Sequence, residues 1–220
     1  STTELHPHFA FFRRSVSGAA WKRGYYTHLW AERKPFFAEN LFFVVRMLLL
    51  WYNAEKWQGR LHMSIEKVRA YFSQFGMENR ILEFPVSSAT VELAAQAVGC
   101  APQRIAKTLS FMVAERPILI CAAGDAKIDN PKYKAQFSQK AKMLSFDQAA
   151  ELIGHAVGGV CPFAVNEGVT VYLDESLKRF ETVFPACGSS NSAIELTIEE
   201  LEQYSGYTCW IDVCKLPAAE

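Results

Sequence analysis

The run Ile105-Ala106-Lys107-Thr108-Leu109-Ser110-Phe111-Met112-Val113-Ala114-Glu115-Arg116-Pro117-Ile118-Leu119-Ile120-Cys121-Ala122-Ala123 holds two extended segments. The first alternates, which puts Ile105, Lys107, Leu109 and Phe111 on one face of a strand. The second is an apolar run with Pro117 at its entry. The spacing predicts strands over 105–114 and 117–123, joined at Glu115-Arg116.

Helical and extended patterns alternate around this pair. Ile65, Val68, Phe72 and Phe75 fall at helical spacing, with Ser64 as cap and Gly76 as stop. Ile81-Leu82-Glu83-Phe84 reads as a short strand, and residues 88–98 as an amphipathic helix closed by Gly99 in the left-handed region. Gly124 to Asn130 is a loop, and Pro131 suits the first turn of a short helix. Ser145-Phe146-Asp147-Gln148 is a capping box opening a helix that Gly154 ends. Strands near 169–173, 181–184 and 193–196 follow. Thr197-Ile198-Glu199-Glu200 is a second capping box, and 208–213 is a last strand. Hairpin and helix-mediated connections together predict a mixed α/β (α+β) fold, a curved mixed sheet flanked by helices.

The chain of 220 residues has zero net charge, but the balance is uneven. Residues 1–62 carry nine Lys and Arg against four Asp and Glu, and the remainder fourteen against nineteen. Four of the five Trp and four of the five His precede Met63, whereas all six Cys follow it. Two unlike pieces meet near His62-Met63, and Met63-Ser64 is where orderly patterning begins. We expect residues 63–220 to form the functional domain and 1–62 to be an extension to exclude from fold reasoning, with Met63 as the natural start. A membrane-surface or partner-binding arm is the functional alternative for its basic and aromatic content. The apolar run 41–52 is too short to span a bilayer and is interrupted by Arg46.

Several positions have the chemistry of a site. Lys107 in an apolar strand either snorkels from an edge or points into a pocket. Gly158-Gly159-Val160-Cys161-Pro162-Phe163 is either a tight turn or a loop whose N–H groups hold a carbonyl or a developing oxyanion. Gly188-Ser189-Ser190-Asn191-Ser192 is either a hairpin turn or the lining of a polar pocket. Lys127, Lys132, Lys134, Lys140 and Lys142 form a basic run, either a solvated face or an edge that contacts phosphate. Asp125 and Asp129 lack a third oxygen ligand nearby and read as turn residues. The cysteines form no CxxC pair, so they read as buried free thiols of a reducing cytosol rather than a zinc site. Cys161 with His155 leaves a thiol hydrolase as a minor alternative.

Taken in this order and spacing, Ile105-Ala106-Lys107-Thr108-Leu109, Gly124-Asp125, Val157-Gly158-Gly159-Val160-Cys161-Pro162-Phe163 and Ile194-Glu195-Leu196 resemble the YbaK/EbsC family. That family includes free-standing relatives of the editing domain inserted in bacterial prolyl-tRNA synthetases. The resemblance runs through nearly all of 63–220. It implies the synthetase-associated domain fold, a mixed sheet wrapped by helices, and hydrolysis of the ester that links a wrong amino acid to tRNA. It makes Lys107 the anchor of the terminal nucleotide, and Gly158 and Pro162 the ends of a Gly-x-x-x-Pro loop that positions the aminoacyl carbonyl, with Gly159 inside it. Thr108, Val160, Cys161, Gly188, Ser189 and Ser190 adjoin these positions and become candidates for substrate contact, and the five lysines for RNA contact.

The implied partners are the acceptor end of an aminoacyl-tRNA and a synthetase. Neither DNA nor a membrane is expected, the location is cytoplasmic, and no metal or organic cofactor is required. At the Gly188 turn the sequence departs from the cysteinyl-tRNA-specific branch, which carries basic residues after its glycines and an acidic residue where Ala193 stands here. Ser, Thr, Ala and Cys esters all remain candidate substrates. A non-catalytic aminoacyl- or synthetase-binding module of the same fold is the alternative of a different class.

Overall fold

A hairpin organises the sheet, and its turn explains why. The computed structural model describes residues 64–155 and 158–217; the proposed extension 1–62 and its boundary lie outside them. Strand β2 (Ile105–Val113) and strand β3 (Arg116–Ala123) pair antiparallel from Ala106↔Ala123 to Val113↔Arg116. The turn is therefore Ala114-Glu115, one residue earlier than the sequence suggests. Both residues lie at positive φ, 45° and 63°, as a two-residue hairpin of primed type requires. An L-residue there costs about 1–2 kcal/mol. We expect Glu115→Gly to stabilise the protein by about 0.5–1 kcal/mol after the entropy of glycine is counted. A rise in the urea midpoint would show this; a fall would contradict the turn geometry.

The hairpin sits at the centre of a six-stranded mixed sheet. Besides β2 and β3 it contains β5 (Thr170–Asp174), β6 (Thr182–Pro185), β8 (Leu196–Thr197) and β9 (Cys209–Ile211), in the order β8-β6-β2-β3-β5-β9. β6 joins β2 in parallel, as β5 joins β3 and β9 joins β5. Two small antiparallel pairs complete the strands, β1 (Ile81–Glu83) with β7 (Ser192–Ile194) and β4 (Lys127–Ile128) with β10 (Cys214–Lys215).

The helices cover the sheet through two apolar clusters. The larger joins Val68 and Phe72 of α1 (residues 64–73) to β3, Phe163 and Leu201 of α5 (Ile198–Ser205). Phe72 and Phe163 meet edge to face, with ring centroids 4.8 Å apart. The smaller packs Val91, Ala94 and Ala95 of α2 (Val91–Val98) on Ile105 and Phe184. α3 (Asn130–Phe137) is capped by the Asp129 side chain, which accepts from the Lys132 N–H at 3.0 Å. The Ser145 capping box opens α4 (Phe146–Gln148), which continues as a π-turn over Ala149–Ile153.

Three expectations are corrected. The strand expected over 193–196 breaks at Glu195 into β7 and β8, because Glu195 is held sideways: its carboxylate accepts from Arg104 at 2.9 Å and its carbonyl from Arg80 at 2.6 Å. The strand expected over 208–213 breaks before β10. There the buried Asp174 carboxylate takes the N–H groups of Val213 and Cys214 at 3.0 and 3.1 Å. The helix expected from 88 begins at Val91, since Thr90 is the cap and Ser88 instead bonds the Ser190 carbonyl. Among the described residues, no helix is long and apolar enough to cross a membrane.

Candidate active site

Lys107 is placed by the alternation of β2 and held by the chain that leaves β3. Its ammonium group donates to the carbonyls of Gly124, at 2.9 Å, and Ala126. Burial lowers its pKa, and the Asp125 carboxylate opposes that shift. An ammonium carries three N–H donors, so one is left beyond the two carbonyls. Lys107 lines a cavity of about 530 Å³, and Thr108, Gly158 and Val160 line it too. Ser88, Thr90 and Val91 at the start of α2 form one wall, and Met143 to Phe146 form another. Ile105, Phe184, Ala186 and Ser192 are also in its lining.

The glycine loop owes its position to close packing behind it. A Cβ on Gly159 would come within 2.6 Å of the Gly188 carbonyl, so the two backbones touch where no side chain fits. Gly188 in turn lies against the Ser64 carbonyl, where a Cβ would reach 2.6 Å. Gly158, at φ +95°, faces the cavity, whereas Gly159, Pro162, Gly188 and Ser189 are buried behind it. Ser189 donates to Ser192 Oγ at 2.7 Å, and the Ser190 carbonyl accepts from the Ser88 N–H at 2.6 Å. Gly188 and Ser189 therefore support the cavity wall from behind, and of this turn Ser192 alone reaches the lining.

Cys161 and His155 do approach, with Sγ 3.7 Å from Nε2, but both are fully buried. The imidazole Nε2–H donates to the Phe163 carbonyl at 2.8 Å, and Nδ1 accepts from Ser64 Oγ at 2.5 Å, a tautomer fixed by these partners. Nε2 thus holds a proton and is no base for the thiol. Burial pushes the Cys161 thiol up to about 12, far from a nucleophile. Cys161 belongs to the loop's anchor, which removes both the thiol hydrolase and a direct contact of Cys161 with substrate.

Burial also lowers the His155 pKa to about 4, against an ordinary 6.5. The folded state then binds fewer protons than the unfolded state between these values. Stability is present above pH 6.5 and is lost as pH falls toward 4. Urea unfolding at pH 7.5 and pH 5 should differ by about 2 kcal/mol from this group alone. His155→Gln should flatten that dependence; an unchanged slope in the variant would contradict a neutral buried imidazole.

All five lysines of the basic run are exposed. Lys132 is paired with Asp212 at 2.7 Å, while Lys127, Lys134, Lys140 and Lys142 make no ion pair among the described residues. Lys142 directly precedes the wall that begins at Met143, and Lys127 follows the 124–126 turn that holds Lys107. Ser88, Ser110, Met143 and Phe146 escaped the sequence reading, whereas Ser192 was part of the polar turn singled out there. Ser110 alone left a signal there, as a polar residue in an apolar strand. Among the described residues no group of three or more His, Cys, Asp or Glu gathers as a metal site would require.

Comparisons with known proteins bear on the family and the fold. The model of the aminoacyl-tRNA editing domain family matches residues 86–204. The uncharacterized protein YwhH of Bacillus subtilis (strain 168) is 56% identical over 154 residues, which cover 70% of this chain and 98% of that protein. A proline–tRNA ligase of Geobacillus sp. (strain WCH70) is 28% identical over 102 residues, 46% of this chain and 18% of the ligase. Among solved structures, a candidate trans-editing enzyme for prolyl tRNA synthetase superposes with a TM-score of 0.63 at 28% identity, over 69% of this chain and 97% of its own. The hypothetical protein APE2540 shares the fold, with a TM-score of 0.57 at 23% identity, over 65% of this chain and 99% of its own.

Proposed function

This chain belongs to the aminoacyl-tRNA editing domain family, and from that membership we propose that it is a trans-acting deacylase for tRNA mischarged with a small amino acid. The observation that carries the reading is the convergence of the Lys107 ammonium and the Gly158 backbone on one cavity of about 530 Å³. Pockets of about 300–1,000 Å³ hold ligands of drug size, and an aminoacyl-adenosine is of that size.

Lys107 supplies its remaining N–H to a phosphate of the terminal nucleotide. The glycine loop receives the ester carbonyl, and its N–H groups steady the oxygen as it becomes an oxyanion. Water adds to the carbonyl carbon, the ester C–O bond breaks, and the departing ribose oxygen takes a proton originally on that water. Lys107 is the titratable group among the described lining residues, so no carboxylate or imidazole of the lining serves as general base. An aminoacyl ester is already activated and has a ribose hydroxyl beside its carbonyl, so orientation supplies much of the acceleration. No metal or organic cofactor enters the step.

Small apolar and hydroxyl groups line the cavity, including Ala94, Ala186, Ala193, Ser110 and Ser192. They suit a small amino acid, the kind a synthetase pocket rejects poorly and a second site must remove. RNA contact is limited to the single-stranded acceptor end, with the unpaired lysines beside the cavity following its phosphates. A synthetase that presents the mischarged tRNA is the natural partner. An acceptor-stem minihelix carrying alanine or serine tests this reading. We expect its hydrolysis to be accelerated as that of the whole tRNA is; acceleration of neither would overturn the proposal.

A further inference from the structure

The outer edge of β2 has a gap, and the cavity opens on it. In a strand, the N–H and C=O of one residue point to the same edge in an antiparallel ladder, and those of the next residue to the other edge. The Leu144 N–H donates to the Ser110 carbonyl at 3.1 Å, and the Met112 N–H donates to the Lys142 carbonyl at 2.9 Å. Ser110 and Met112 therefore turn their backbone groups away from β3, toward the outer edge. By the two-residue period so do Thr108 and Ala106.

β6 covers that edge only at Ile105 and Ala106. It then turns away, because Ala186 bridges Ala193 of β7. The 142–144 segment covers the edge only around Phe111, which bridges Met143. Between these two partners, no strand pairing or loop bond among the described residues reaches the N–H and C=O of Thr108. Thr108, Ala186 and Leu144, the residue in the gap and its two flanks, all line the cavity. A half-buried strand residue with both backbone groups open is a place where a ligand completes the ladder.

The chemistry of that ligand follows from the pair. A donor and an acceptor on one strand residue match the acceptor and donor of one residue opposite. An α-aminoacyl ester has this arrangement, an ammonium and a carbonyl on neighbouring carbons. We propose that the aminoacyl group docks on Thr108 as a one-residue β-strand, its α-ammonium donating to the Thr108 carbonyl and its acyl oxygen accepting from the Thr108 N–H. This rests on the deacylase reading and deepens it: the edge recognises the α-amino acid unit whatever its side chain. The acyl oxygen has a second lone pair for the glycine loop. Acyl groups without an α-amine lose one of the two bonds.

The test uses the full-length 15N-labelled chain and 3′-alanylamino-3′-deoxyadenosine, whose amide replaces the labile ester but keeps the ammonium and the acyl oxygen. At saturation the Thr108 amide should shift, and its hydrogen exchange should slow about tenfold or more, the effect expected of one new hydrogen bond. The propionyl counterpart, which lacks the α-amine, should bind about tenfold more weakly. Binding that shifts the Gly158 and Val160 amides but leaves Thr108 exchange unchanged would overturn the docking mode and leave the deacylase reading standing. Equal affinity of the propionyl compound would also overturn it. If neither compound perturbs any cavity amide, the deacylase reading fails, and the docking mode with it.

Discussion

Lys107→Ala should lower kcat/KM for deacylation of a mischarged tRNA by about 10²–10³-fold, the loss typical when a preorganised electrostatic contact is removed. The side chain is the one cation in the described lining of the cavity, and the carbonyls of Gly124 and Ala126 fix its direction. A substrate phosphate thus meets an ammonium that needs little reorganisation. Lys107→Arg should not restore the rate, because a planar fork cannot replace a compact ammonium between two carbonyls of a tight turn. Lys107 is half-buried and lines the cavity, so its removal opens a path for water to the freed carbonyls and the variant should remain folded. Steady-state kinetics beside thermal unfolding separates the effects. Wild-type kinetics in a folded Lys107→Ala protein would remove Lys107 from the site.

Gly159→Ala should cost about 1–3 kcal/mol of stability, the usual penalty of forcing atoms into a packed interior, and should reduce activity along with it. The new Cβ would lie 2.6 Å from both C and O of Gly188 and 2.7 Å from Ser189 Cα. Those are backbone atoms, and Gly188 cannot retreat, because Ser64 is packed behind it. The glycine loop must move instead, and with it Gly158 in the cavity wall. Gly168→Ala is the matched control. It sits at φ +85° with nothing within 4 Å of a Cβ, so it should cost about 1–2 kcal/mol from backbone strain alone and leave kcat/KM unchanged. Urea unfolding and kinetics on both variants check the contrast. Equal kinetic effects would mean that the Gly159–Gly188 contact does not position the loop.

Local chemistry was the legible part of this sequence. The capping boxes at Ser145 and Thr197 formed with both of their reciprocal bonds, and Gly99 closes α2 at φ 71°, because each signal is complete within a few residues. The hairpin turn was misplaced by one residue since Ala114 and Glu115 carry none of the glycine or asparagine that normally marks positive φ. The breaks at Glu195 and before Cys214 were hidden because their causes are distant: Arg80 and Arg104 for the first, Asp174 for the second. The site divides in the same way. Lys107 and Gly158 could be singled out from their immediate neighbours, and the fold places both in one cavity. Ser88, Met143 and Phe146 could not, since only the packing of separate segments brings them to β2. Cys161, Gly188 and Ser189 were chemically plausible but lie behind the wall, as their burial and close backbone contacts show, while Ser192 of the same turn reaches the cavity.

The most direct measurement is single-turnover deacylation, with the full-length protein in excess over tRNAs carrying alanine, serine, threonine or cysteine as the wrong amino acid. At least one of these esters should disappear about a hundredfold faster than in buffer, equivalent to about 2.7 kcal/mol off the barrier, while the correctly charged tRNA decays at the buffer rate. Decay of all four at the buffer rate, with protein that shows a cooperative unfolding transition, would contradict the assignment of this site to ester hydrolysis.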